Sequence, residues 1–218
     1  MSLRSITAMA TEPVAVAILA KAPIPGFAKT RLIPALGAER AAALQAALIA
    51  RAIETACTES TGPVTLWGAP DDTHPAFAAA RANGVELRSQ PDGDLGARIL
   101  AALATANGPA LMIGTDCPAL TADHLRKAAG ILRGGADAVV CPAEDGGYVL
   151  IGLRSPDARL FAEMPWSTPG VMTQTRQRLR QLGLTWQEPV TLWDVDVPAD
   201  LARLREIGFG SIISSADQ

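Results

Sequence analysis

The chain has 218 residues, of which 49% are apolar and 19% charged, and a formal net charge of −3. That size and composition suit one globular unit with a sizeable core, and the acidic balance excludes the broad basic footprint of a DNA- or RNA-binding protein. Three widely spaced cysteines and two histidines exclude a metal cluster built on those residues; the cysteines read as reduced thiols of a cytoplasmic protein.

Residues 1–12 lack a long apolar stretch and read as a loose lead-in, not as a signal peptide. V-A-V-A-I-L, 14–19, reads as a buried first strand. The basic loop K-A-P-I-P-G-F-A-K-T-R-L-I-P, 21–34, follows, and an Ala-rich helix opens near Gly37. V-T-L-W (64–67) and V-E-L-R (85–88) are predicted strands, with a short helix from Pro75 to an Asn83-Gly84 C-cap between them. A helix from Leu95 ends at Asn107-Gly108, and P-A-L-M-I-G, 109–114, reads as a fully buried strand. Thr121 caps a helix that Gly134-Gly135 stops. A-D-A-V-V-C (136–141) and Y-V-L-I-G-L (148–153) are two further strands. Ser167-Thr168-Pro169 opens a polar helix; a last strand near 185–192 leads into W-D-V-D-V-P and a short closing helix. Strand–helix alternation predicts a largely parallel sheet covered on both faces. There is no internal repeat, no linker and no apolar run of the roughly 18 residues that a membrane span needs, so 1–218 is taken as one domain. Its oligomeric state is left open.

In such sheets ligands sit beyond the carboxyl ends of strands. The informative loops all follow predicted strands. Lys21, Lys29 and Arg31 suit phosphates, with Gly26 permitting close backbone approach, while Pro23, Pro25 and Pro34 reduce the ordering left to be done on binding. A Walker A loop is excluded, because Pro23 and Ala28 stand where its glycines belong. L-M-I-G-T-D-C-P places Asp116 just past a buried strand. A-E-D-G-G-Y supplies Glu144 and Asp145, and W-D-V-D-V-P supplies Asp194 and Asp196 on one face if extended. Asp194 reads equally as a metal ligand or as a helix cap. A hard cation wants one or two carboxylates plus phosphate and water oxygens, so cations on one loop and carboxylates on others match a metal–nucleotide site.

K-A-P-I-P-G-F-A-K-T-R-L, G-T-D-C-P-A-L-T, A-E-D-G-G-Y-V-L-I-G-L, P-W-S-T-P-G-V and D-V-D-V-P-A-D-L occur here in the order seen in the DUF2064 family, also labelled radical-SAM/selenodomain-associated transferase 1. The resemblance runs from about residue 14 to 207. That family is similar to the glycosyltransferase-A (GT-A), nucleotide-diphospho-sugar transferase superfamily. The resemblance implies a Rossmann-like three-layer α/β/α sandwich with a mixed, mainly parallel sheet, and a site for magnesium or manganese. It makes Lys21, Gly26, Lys29 and Arg31 the nucleotide-phosphate loop and Asp116 and Asp196 the metal ligands. Val197 replaces the Thr of the D-x-D-T-P ending of related nucleotidyltransferases, which keeps the carboxylate and loses a hydroxyl. Glu144, Asp145, Gly146, Gly147 and Tyr148 resemble the acceptor side, with Trp166 and Ser167 beside them. Asp116 and Asp145 are the expected catalytic residues, the first through the metal and the second on an acceptor hydroxyl.

The expected activity is glycosyl transfer from a nucleotide-diphospho-sugar to a small-molecule acceptor. The alternative is nucleotidyl transfer to a small phosphorylated acceptor with release of pyrophosphate, and a third reading is a nucleotide-binding regulator without turnover. No nucleic-acid partner is expected.

Overall fold

The computed structural model describes residues 12–58 and 61–214. All of the expected lead-in except Glu12 lies outside the described residues. Seven strands form one sheet: β1 (Ala15–Lys21), β2 (Val64–Ala69), β3 (Glu86–Ser89), β4 (Ala110–Gly114), β5 (Ala138–Pro142), β6 (Tyr148–Leu153) and β7 (Trp186–Gln187), in the order β3-β2-β1-β4-β6-β5-β7. All neighbouring pairs are parallel except those of β6, which runs antiparallel to both β4 and β5. A link of only five residues joins β5 to β6. That is far too short for a parallel crossover, so the two must pair antiparallel.

The helices are α1 (Ile33–Leu36), α2 (Ala38–Thr58), α3 (Ala78–Ala82), α4 (Leu95–Ala104), α5 (Ala122–Arg133), α6 (Val171–Gln181), α7 (Leu201–Glu206) and α8 (Gly210–Ile213). The period-2 alternation of the strands assigns them to faces. Val16, Ile18, Leu111 and Ile113 pack with Ile49 and Ile53 of α2 and Leu125 and Leu132 of α5. Ala110, Met112, Val140 and Ile151 point the other way, against Ile99 and Leu103 of α4 and Met172 and Leu179 of α6. The result is the mixed, mainly parallel α/β/α sandwich. Truncating the fully buried Ile18 to Ala would cost about 2–5 kcal/mol.

A third cluster sits apart from these two layers. Leu32 and Leu36, with Leu44 and Leu48 of α2, enclose Val195 together with Leu201 and Leu204 of α7 and Phe209 and Ile213 around α8. This cluster fastens the segment around Val195 onto the basic loop.

Three elements differ from the sequence reading. The strand expected over 185–192 pairs only at Trp186–Gln187, then again through a single bridge between Ala143 and Leu192. Pro189 lies between, and a residue without an N–H cannot donate to a ladder. The helix after Ser167 opens at Val171, with Gly170 at its N-cap. The segment from Pro75 begins as a 3₁₀ turn, Pro75–Phe77, before α3. Among the described residues no helix is long and apolar enough to cross a membrane.

Candidate active site

The chain leaves β1, builds β2 and β3 on one side, and returns to start β4 on the other side of β1. The carboxyl ends of β1 and β4 therefore lie together at the reversal of strand order, where Leu19 is in register with Gly114. The basic loop folds over this point. Ile24 O accepts from both Phe27 N and Ala28 N, each at 3.0 Å. Gly26 takes a positive φ of 82° within that turn, a conformation glycine adopts without a Cβ clash. The buried Ala28 anchors the loop, and Lys29 follows in the left-handed region, φ 49° and ψ 44°.

That backbone turns the Lys29 side chain inward, and only 6% of it is exposed. Its Nζ lies 2.7 Å from Asp116 Oδ1 and donates to Val195 O at 2.6 Å. Val195 N in turn donates to Asp116 O at 2.8 Å. Arg31 pairs with Asp196. The basic loop, the end of β4 and the W-D-V-D-V-P segment are thus tied together by ion pairs and main-chain hydrogen bonds. Asp200 Oδ2 secures the last of these by accepting from Asp196 N at 2.9 Å and Val197 N at 2.8 Å.

Buried Gln45 of α2 supports the same wall from behind. Its amide donates to Lys21 O at 3.1 Å and to Thr115 Oγ1 at 3.2 Å, and Thr115 Oγ1 is 3.2 Å from Asp116 Oδ1. Asp194 faces the same cavity. Its carboxyl is pushed up to about 6, first by burial and then by the charges of Asp145 and Asp116, against the opposing pull of Lys29. Burial likewise pushes the thiols of Cys117 and Cys141 up to about 12. Both stay protonated and poorly nucleophilic.

The cavity has a volume of about 690 Å³. Lys21, Lys29, Arg31, Asp116, Asp194 and Asp196 line its charged wall; Leu19, Ile99, Met112, Tyr148, Val149 and Trp166 line the apolar one. Asp145 and Gly147 stand at the same opening, and Asp145 Oδ1 accepts from Gly147 N at 2.8 Å. Trp166 is fixed by an Nε1 hydrogen bond of 3.2 Å to Asp94 Oδ2, the carboxylate that also caps α4. Tyr148 meets the Trp166 ring edge-on at 6.3 Å. Ser167 lines the cavity in a left-handed conformation, not as a helix cap.

Three of the residues singled out in the sequence lie off the lining. Glu144 turns outward to make hydrogen bonds of 2.7 and 3.1 Å with Arg203, whose guanidinium stacks 4.3 Å from the Trp193 ring. Gly146 serves packing: a Cβ there would come within 2.4 Å of Pro169 O. Gly26 has open space around the position of a Cβ and acts through its turn conformation. Gln45, Gln90, Phe27 and the aliphatic part of the apolar wall went unnoticed in the sequence. A Gln in an amphipathic helix carries no sign of being buried, and Leu19 or Met112 follows the same alternation as any core residue.

Among the described residues no group of three or more His, Cys, Asp or Glu side chains is arranged to hold a metal. Asp116 and Asp196 are already neutralised by Lys29 and Arg31. Burial first, and then the charges of Asp145 and Asp116, keep the Asp194 carboxyl raised beside them. These residues fit a cation shared with ligand phosphates and water, in the manner of magnesium, better than a cation caged by protein alone.

The family described as "Uncharacterized protein conserved in bacteria (DUF2064)" matches residues 49–168. The chain belongs to this family. A search of curated proteins found no match. Among solved structures, this DUF2064 protein is similar to one from Desulfovibrio desulfuricans G20 assigned as a nucleotide-diphospho-sugar transferase, with a TM-score of 0.79, 24% identity and 90% of each chain covered. A cytidylyltransferase from Leptospira borgpetersenii has a TM-score of 0.59 at 14% identity, covering 94% of this chain and 98% of that one. Glucosyl-3-phosphoglycerate synthase from Mycobacterium tuberculosis, solved with Mn²⁺, UDP and glucosyl-3-phosphoglycerate, has a TM-score of 0.56 at 14% identity, covering 100% and 86%. At these identities the likeness is one of fold, a GT-A-type α/β/α sandwich.

Proposed function

We propose that this DUF2064 protein is a nucleotidyltransferase that joins a nucleoside monophosphate to a small phosphorylated acceptor. The observation that carries the reading is the wall in which Lys29 meets Asp116 and Val195 O while Arg31 meets Asp196. It sits at the switch point of a fold shared with a cytidylyltransferase. Lys21, Lys29 and Arg31 line one cavity wall, and a cation held by Asp116 and Asp196 would free Lys29 and Arg31 for a triphosphate. Asp116 and Asp196 would hold magnesium or manganese, which supplies neutralisation of the phosphate oxygens and of the departing pyrophosphate.

In the transfer an acceptor phosphate oxygen bonds to the α-phosphorus as the α–β bridging bond breaks and pyrophosphate leaves. A phosphate monoester has its second pKa near 6 and attacks as a dianion, so the acceptor needs no general base. Asp145 then orients the acceptor and does not remove its proton. The apolar wall with Trp166 and Tyr148 forms the acceptor side, with Gly147 and Ser167 at its edge. Glu144 and Gly146 support that side from outside the lining.

The test is a screen of the four nucleoside triphosphates with mixed sugar and polyol phosphates, in magnesium or manganese, reading pyrophosphate. Metal-dependent pyrophosphate release with one triphosphate is the expected result. Glycosyl transfer is the second reading, favoured by the neighbour of TM-score 0.79. Free nucleoside diphosphate formed from a nucleotide-sugar, without pyrophosphate, would replace the first reading with it. Tight nucleotide binding with neither product would leave a regulator.

A further inference from the structure

The large apolar side chains exposed among the described residues are Phe27, Leu95, Val197 and Ile207. Two of them, Phe27 and Leu95, line the cavity, where they are 66% and 44% exposed. Phe27 is not on a loose tip. The two hydrogen bonds to Ile24 O, the turn at Gly26 and the buried Ala28 beside it hold the ring outward. Two residues on, Lys29 is locked to Asp116 and Val195. A fixed backbone therefore keeps an aromatic face in water at the mouth of a site to which the same loop also brings Lys21, Lys29 and Arg31. Phe27 follows β1, and Leu95 opens α4, which packs on β4 and β1.

We propose that Phe27, with Leu95, contacts the heteroaromatic base of the nucleotide whose phosphates meet Lys21, Lys29 and Arg31. This rests on the nucleotide reading above and adds to it the residue that holds the base. An anionic tail and a flat ring in one ligand match cations and an exposed aromatic on one stiff loop. An aromatic face accepts any base, so the contact supplies affinity and leaves choice of base to other groups.

The experiment is calorimetric titration of wild type, Phe27→Ala and Phe27→Trp with ATP, GTP, CTP, UTP and inorganic tripolyphosphate, all in magnesium. Phe27→Ala should weaken the preferred nucleoside triphosphate by about fivefold or more and leave tripolyphosphate unchanged, while Phe27→Trp keeps both affinities. Because Phe27 is exposed, the Ala variant should keep the wild-type Tm, and Phe27→Leu provides a second variant if it does not. Equal loss for triphosphate and tripolyphosphate would mean that the loop has shifted, and would overturn the proposal. Unchanged affinity for all ligands would overturn it while leaving the nucleotide reading intact. Wild type that binds tripolyphosphate as tightly as every nucleotide would also overturn it, and wild type that binds neither would remove the nucleotide reading as well.

Discussion

The charged wall of the cavity and the apolar wall are built from different parts of the fold. The charged wall is made of loops that lie far apart in sequence, up to 166 positions for Lys29 and Val195, and it is held by ion pairs and hydrogen bonds. The apolar wall is made mostly of strand and helix residues, Leu19, Met112, Val149 and Ile99, that continue the core packing. One wall therefore depends on specific partners, whereas the other comes with the sheet. Substitutions should separate them: losses on the charged side fall on phosphate binding, and losses on the apolar side on the acceptor.

The largest effect is expected at Lys29. Lys29→Ala removes a charge-assisted contact to Asp116 and another to Val195 O. It should weaken triphosphate binding by about 10- to 100-fold in a calorimetric titration. Retention of wild-type affinity would detach this wall from phosphate recognition. Trp166→Ala should raise the acceptor KM by roughly tenfold and keep the triphosphate Kd within about twofold. Equal changes in both would show that the walls are not independent.

Asp194 gives a smaller and pH-dependent effect. Its folded pKa, about 6, lies above the ordinary carboxyl value of 3.8. Its ionisation costs the fold nothing below about pH 4, and the cost grows as pH rises through about 6. Asp194→Asn should therefore stabilise the metal-free protein at pH 8 and make no difference at pH 3.5. After allowance for solvent screening, the gain should be below about 1 kcal/mol by denaturant unfolding. A gain at pH 3.5 equal to that at pH 8 would contradict the burial and like charges that raise this carboxyl. The smallest effect is expected at Arg203, whose pair with Glu144 is solvent-exposed. Arg203→Ala should shift Tm by no more than about 2 °C and leave triphosphate affinity unchanged.

The same contrast explains what could be read from the sequence. Lys21, Lys29, Arg31, Asp116 and Asp196 stood out because charged residues beside Pro and Gly, just after apolar runs, have few structural duties. Their meeting was an inference from the switch-point rule, and the cavity does bring them together. Gln45 was hidden because an Ala-rich helix shows its buried face only when the sheet beneath it is known. The turn at 143–147 shows a different limit. Adjacent acids there point opposite ways, Asp145 into the opening and Glu144 out to Arg203, and composition carries no sign of which is which. The sheet was legible through β6 from strand-length apolar runs. Beyond it, Pro189 reduced an expected strand to two residues and an isolated bridge.

The fastening of Val195 between the basic loop and the closing helices sets how late in translation the charged wall is completed. Lys29 leaves the ribosome 166 residues ahead of Val195, an interval of roughly 8–30 s at ordinary elongation rates. Over about the last quarter of that time, once β6 has been made, the nascent protein carries a nearly finished sheet while its ammonium group waits for the backbone carbonyl that will hold it.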